Sequence, residues 1–162
     1  MTDIFRLSFI IILLTIALAA YFLVIGALFT NRVAKTQRVI TAMPGRSFGV
    51  GLVNFVFFGV IALVLFSVAG NAGDFIRFIL TVPALLITAI LAIMLSFGLA
   101  GMSNLLGERI FPDQPAWRQT TWGTVILSFA CALPVVGWFL LFPYVGFVGI
   151  GAFILGLFQR TQ

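Results

Sequence analysis

From Leu7 to Phe29 the chain runs for about 23 residues without one charged side chain. At about 1.5 Å per helical residue, such a run crosses the roughly 30 Å hydrocarbon core of a bilayer. Inside that core the backbone must satisfy its own polar groups, so a run of this length is a helix. Comparable runs cover about 48–69 and 76–106, the latter with Arg77 as its one charged residue, near its start. Composition agrees: of 162 residues, 62% are hydrophobic and 8% charged, against about 25% charged in a soluble domain. A soluble globule, a disordered chain and a fibrous protein are therefore excluded. Met1–Arg6 resembles the start of a signal peptide and Ala17-Leu18-Ala19 a cleavage site, but the apolar run continues past both, so an uncleaved first span is expected.

The last apolar stretch, Trp122 to Phe158, has 37 residues. As one straight helix it would be about 55 Å long, nearly twice the hydrocarbon thickness. It must fold back. Pro134-Val135-Val136-Gly137-Trp138 is the expected break, because proline removes a backbone donor and glycine permits a turn. Pro143 is a candidate second kink. The reading is two paired helices, about 117–133 and 139–158, the first short for a full span. A re-entrant hairpin is the alternative. The fold class is thus an all-α integral membrane protein of four to five transmembrane helices, with a Pro/Gly-kinked terminal hairpin. It forms one domain over 1–162.

Orientation follows from the loops. Residues 30–47 carry Arg32, Lys35, Arg38 and Arg46 without an acid. The first loop, the 107–121 connector (Arg109, Arg118) and the tail (Arg160) together hold seven of the nine Lys/Arg. The positive-inside rule puts these in the cytoplasm, with the N-terminus outside and the C-terminus inside. The expected location is the inner membrane.

In the third span Ala84, Thr88, Ala92, Ser96, Ala100 and Asn104 recur every four residues. Small residues in such a stripe let a second helix approach closely. Gly146, Gly149, Gly151, Ala152 and Gly156 form another small-residue cluster in the last helix. Each is either a docking face for a partner subunit or a packing face within the chain. Arg32, Lys35 and Arg38, spaced by three, and nearby Arg46 fit contact with anionic head groups or an acidic partner. Basic residues this few, flush against a bilayer, offer little footprint for nucleic acid, and none is expected as a partner.

Ionisable groups mark proton and ion pathways, and the spans hold none unless Asp74 or Arg77 is drawn in. Histidine is absent altogether, which removes histidine-ligated haem or chlorophyll, most zinc and copper sites and histidine acid–base catalysis. The one cysteine, Cys131, lies in an apolar run and reads as a small hydrophobe. No catalytic motif, metal cluster or cofactor site is expected. Asn54, inside the second span, needs a hydrogen-bond partner. The 19 phenylalanines, including Phe55, Phe57, Phe58 and Phe66, read mainly as lipid-facing side chains. Trp117 and Trp122, with Trp138 and Tyr144, fit interfacial belts.

TVPALL at 81–86, LGERIFP at 106–112 and WGTVILSFACALPVVGWFLLFPYVGFVGIGAF at 122–153 resemble the membrane module that follows the β-helical domain in some polymer-forming, bactofilin-like bacterial proteins. The resemblance covers about 45–158. The β-helical polymerising domain has no counterpart in this chain, so a cytoskeletal role does not carry over. What the resemblance implies is a stand-alone bacterial membrane anchoring or scaffolding unit. The expected function is a non-catalytic accessory or scaffold subunit that packs against lipid and other membrane subunits or itself. One alternative is a small-solute or lipid carrier or channel lined by Asn54, Thr88 and Ser96. Another is quinone, carotenoid or lipid binding in a Phe-lined groove.

Overall fold

The computed structural model describes residues 2–71, 73–133 and 135–158. It is all-α: α1 Thr2–Leu28, α2 Thr30–Ala42, α3 Pro44–Gly70, α4 Asp74–Ile110, α5 Ala116–Ala132, a π-helical turn Gly137–Leu141 and α6 Phe142–Phe158. Among the described residues, four helical stretches are long and apolar enough to cross a membrane: Ser8–Leu28, Pro44–Gly70, Asp74–Ile110 and Phe139–Phe158. The chain is thus a multi-pass helical membrane protein by architecture. The fifth expected helix, α5, has 17 residues, about 25 Å of rise.

Each break has a local cause. Phe29 leaves helical geometry at φ −123° and ψ 42°, and the Thr30 hydroxyl donates to the Gly26 and Ala27 carbonyls that end α1. Pro44 disfavours helical geometry at Met43 and opens α3 at its first position. At the α3–α4 turn, the Arg77 guanidinium donates to the Ala69 and Gly70 carbonyls, 3.3 Å each. It caps α3 with a cation where the helix dipole is negative. Pro112 and Pro115 bracket the α4–α5 connector. Pro134, the expected break of the last hairpin, lies outside the described residues. Pro143 falls in the first turn of α6, directly after the π-helical turn.

The basic segment after the first span, a loop in the count of charges and a helical extension in the spacing of Arg32, Lys35 and Arg38, is a separate packed helix. Val33, Thr36, Val39 and Ile40 are buried on one face of α2, a helical period that turns them onto α4 and α6. Val33 joins Phe22, Ile25 and Ala100 in one apolar cluster. Val39 and Ile40 join Val148 and Ala152 in another.

α6 sits at the centre, against α2, α3 and α4. Ser103–Gly123 and Gly107–Gln119 set the antiparallel register of α4 and α5. That register carries the end of α5 only to about the middle of α4. Gly98–Gly149 sets α4 and α6 parallel, and Ser47–Gly151 sets α3 and α6 antiparallel. By the same counting, the α5–α6 turn lies roughly 15 Å short of the α3–α4 turn. Beyond it, α3 and α4 continue as a two-helix arm whose buried side chains are the alanines Ala62, Ala69 and Ala84. The tip of the α5–α6 hairpin exposes Leu133, Val135, Val136, Phe139, Leu140 and Phe142, all apolar.

Candidate functional site

The last-helix small residues are buried, and their neighbours belong to this chain. A Cβ on Gly151 would stand 1.7 Å from the Ser47 carbonyl oxygen, and one on Gly51 would stand 1.8 Å from that of Phe147. α3 and α6 therefore touch backbone to backbone. Gly149 meets Gly98 of α4 in the same way. Gly146 faces the Leu95 side chain, and Gly156 the Cβ of Lys35. Ala152 is fully buried, in a cluster with Val39 and Ile40 of α2. The same close approach recurs between α4 and α5, where a Cβ on Gly107 or Gly123 would lie 1.9 Å from the Gln119 or Ser103 carbonyl oxygen. Sequence reasoning missed Gly51, Gly98, Gly107 and Gly123. The pairs Ser47/Gly51 and Ser103/Gly107, each small-x-x-x-small, carried the signal.

The third-span stripe does not form one face. A step of four residues turns about 40° past a full helical turn, so the line winds around α4. Ala84 is buried in the α3–α4 arm, whereas Thr88 and Ala92 are exposed. Ser96 accepts a hydrogen bond from the Tyr21 hydroxyl of α1 at 3.0 Å. Ala100 packs on Phe22, Ile25 and Val33. Asn104 accepts from the Thr120 hydroxyl of α5 at 2.6 Å. Of the residues named for a carrier path, the Asn54 amide donates to Val50 of its own helix, and Thr88 and Ser96 donate to Ala84 and Ala92 of theirs. Phe55, Phe57, Phe58 and Phe66 are all exposed on α3.

The basic residues also separate. Arg32 and Arg46 are exposed, and Lys35 is half-buried beside α6. Arg38 lines an open groove of about 860 Å³ between α2 and the end of α4. Its other lining residues include Gln37, Thr41, Leu105, Glu108 and Arg109. The Gln37 amide donates to the Glu108 carboxylate across the groove, and the Thr41 hydroxyl donates back to the Gln37 carbonyl at 3.0 Å. Arg109 belongs to this site although it lies far from the basic loop in sequence. Its signal was Leu105, Glu108 and Arg109 on one face of a helix that runs on past the apolar span.

No protein-family model, curated protein or solved structure matches this chain. Its chemistry is therefore read from the groove and the helix faces themselves. The arrangement offers two guanidinium groups beside one carboxylate at the basic end of the bundle. At the same end the exposed rings of Trp117 and Trp122 border a second groove of about 580 Å³, with Arg118 stacked on Trp117 at 5.0 Å. Among the described residues, no group of three or more acidic or cysteine side chains comes together as a metal site.

Proposed function

We propose that the protein is a non-catalytic accessory or scaffold subunit of a bacterial inner membrane, working by contact with another membrane protein or a second copy of itself. The observation that carries this reading is the division of the molecule into two parts. At the basic end, helix faces close on one another through glycine contacts such as Gly51–Phe147 and Gly98–Gly149. Along α3 and the first half of α4 most side chains outside the alanine seam are exposed, and beside the α5–α6 hairpin the small α4 positions Thr88 and Ala92 are exposed as well. A face of small side chains lets a foreign helix come close in lipid, where packing and hydrogen bonds rather than apolar burial hold helices together. The resemblance of 45–158 to bactofilin-like membrane modules points the same way. The Lys/Arg distribution supports an orientation with α2 and the α4–α5 connector in the cytoplasm and the N-terminus outside.

A photo-crosslinking residue at Thr88 or Ala92, in native membranes, tests the proposal. The expected result is a discrete protein adduct from both positions and a particle larger than the monomer in mild detergent. Lipid adducts alone, together with a monomeric particle, overturn it.

A further inference from the structure

We infer that the groove between α2 and the end of α4 binds the phosphodiester head group of one anionic phospholipid, held by Arg38 and Arg109. This deepens the membrane-contact reading by naming a lipid site within it. Arg38 and Arg109 both line the groove, and both side chains are exposed. Neither has a hydrogen-bond or ion-pair partner among the described residues. Glu108, the one acid in the lining, is held by the Gln37 amide. Two guanidinium groups against one carboxylate leave one positive charge, which matches the single negative charge of a phosphodiester. Planar guanidinium forks bind phosphate oxygens in pairs, with better geometry than an ammonium group.

The depth of the groove selects a lipid as the source of that phosphate. Its lining also carries apolar side chains, Ala34, Ala42, Leu105 and Pro112. Leu105 belongs to the membrane-spanning part of α4, whereas Glu108 and Arg109 begin the polar stretch that follows. The Gly107–Gln119 contact places the exposed Trp117 and Trp122 at the same level, and tryptophan favours the head-group layer. A phosphate bound there sits where lipid phosphates already lie, with acyl chains passing Leu105 toward the apolar part of α4. Arg32 and Arg46 do not line this groove, which sets it apart from diffuse attraction to a charged surface.

The test uses the full chain in a non-ionic detergent and native mass spectrometry with equimolar phosphatidylglycerol and phosphatidylcholine. One phosphatidylglycerol is expected to be retained with about tenfold preference. Arg38→Gln and Arg109→Gln, read separately, should each lower that retention about tenfold. The Arg32→Gln/Arg46→Gln double variant removes the same kind of charge outside the groove and should keep it. Equal loss in that control, or unchanged retention in both groove variants, overturns the site. Displacement of the lipid by an equal concentration of glycerol phosphate overturns the lipid as its source. Retention of phosphatidylglycerol by a chain that shows no protein crosslink at Thr88 or Ala92 would sink the scaffold reading alone.

Discussion

Gly98 and Gly149 face each other with no room for a side chain between them: a Cβ on Gly98 would lie 2.4 Å from the Gly149 Cα, and one on Gly149 would lie 2.7 Å from the Gly98 Cα. The obstacle on both sides is backbone, which cannot swing aside as a side chain can.

Gly98→Ala and Gly149→Ala should therefore separate α4 from α6. The expected cost is at the upper end of the ~1–3 kcal/mol typical of overpacking, or beyond it. Gly146→Ala meets only the movable Leu95 Cδ1 at 3.4 Å and should change stability by less than about 0.5 kcal/mol. Gly59→Ala meets nothing within 4 Å. It should be neutral, or stabilising by up to ~1 kcal/mol through helix propensity. Thermal unfolding in detergent ranks the four variants, and equal effects at Gly146 and Gly149 would refute the contact.

Ser103 and Asn104 are neighbours in sequence with opposite expectations. The Ser103 hydroxyl is buried with no hydrogen-bond partner among the described residues, so Ser103→Ala removes a desolvated polar group and should be neutral or stabilising by ~1 kcal/mol. Asn104 accepts from Thr120 across the α4–α5 contact. Asn104→Leu should cost about 0.6 kcal/mol, up to ~1.7, the range measured for hydrogen bonds between membrane helices. The comparison needs only two melting curves. A destabilised Ser103→Ala variant would mean that the hydroxyl has an acceptor.

The α5–α6 tip should be closed to water. Its exposed side chains from Leu133 to Phe142 are apolar, and the hairpin ends well below the α3–α4 turn. A cysteine at Val135, in a Cys131→Ala background, should resist a membrane-impermeant thiol reagent added from either side. A cysteine at Asn71, in the same background, should react from one side only. Rapid labelling at Val135 would show a hairpin that spans the membrane completely.

Arg77→Gln should loosen the α3–α4 turn by ~0.5–1 kcal/mol, because glutamine can donate to the freed carbonyls but brings no charge to the helix end. Faster hydrogen exchange confined to residues near the turn is the expected signature. Exchange unchanged there would refute the cap.

The spans were legible because charge marks their ends: Arg46, Asp74, Glu108 and Arg109 stand near the limits of α3 and α4. The split of α1 from α2 was not legible. Phe29 and Thr30 are not helix breakers by residue type, and the Thr30 hydroxyl bonds to Gly26 and Ala27 give no signal in the sequence. The glycine clusters could be seen, but their partners could not. Gly51 and Gly151 are far apart in sequence, and only the folded topology brings them together. The fourfold stripe does not say which neighbour each residue meets, since its drift moves Ala84, Thr88 and Ala100 into three different environments. The groove was half visible: Arg38 stood out in a basic segment, while Arg109 needed the helical continuation of α4 and the packing of α2.

α6 has a consequence for biogenesis. It fills the place where α2, α3 and α4 meet, and a ribosome makes it after all three. Until residues 142–158 emerge, the backbone surfaces at Gly51 and Gly98 have no partner. The α3–α4 seam and the α4–α5 contact can form without it, so the order of synthesis leaves one cleft in the bundle, between α3 and α4, to be filled last.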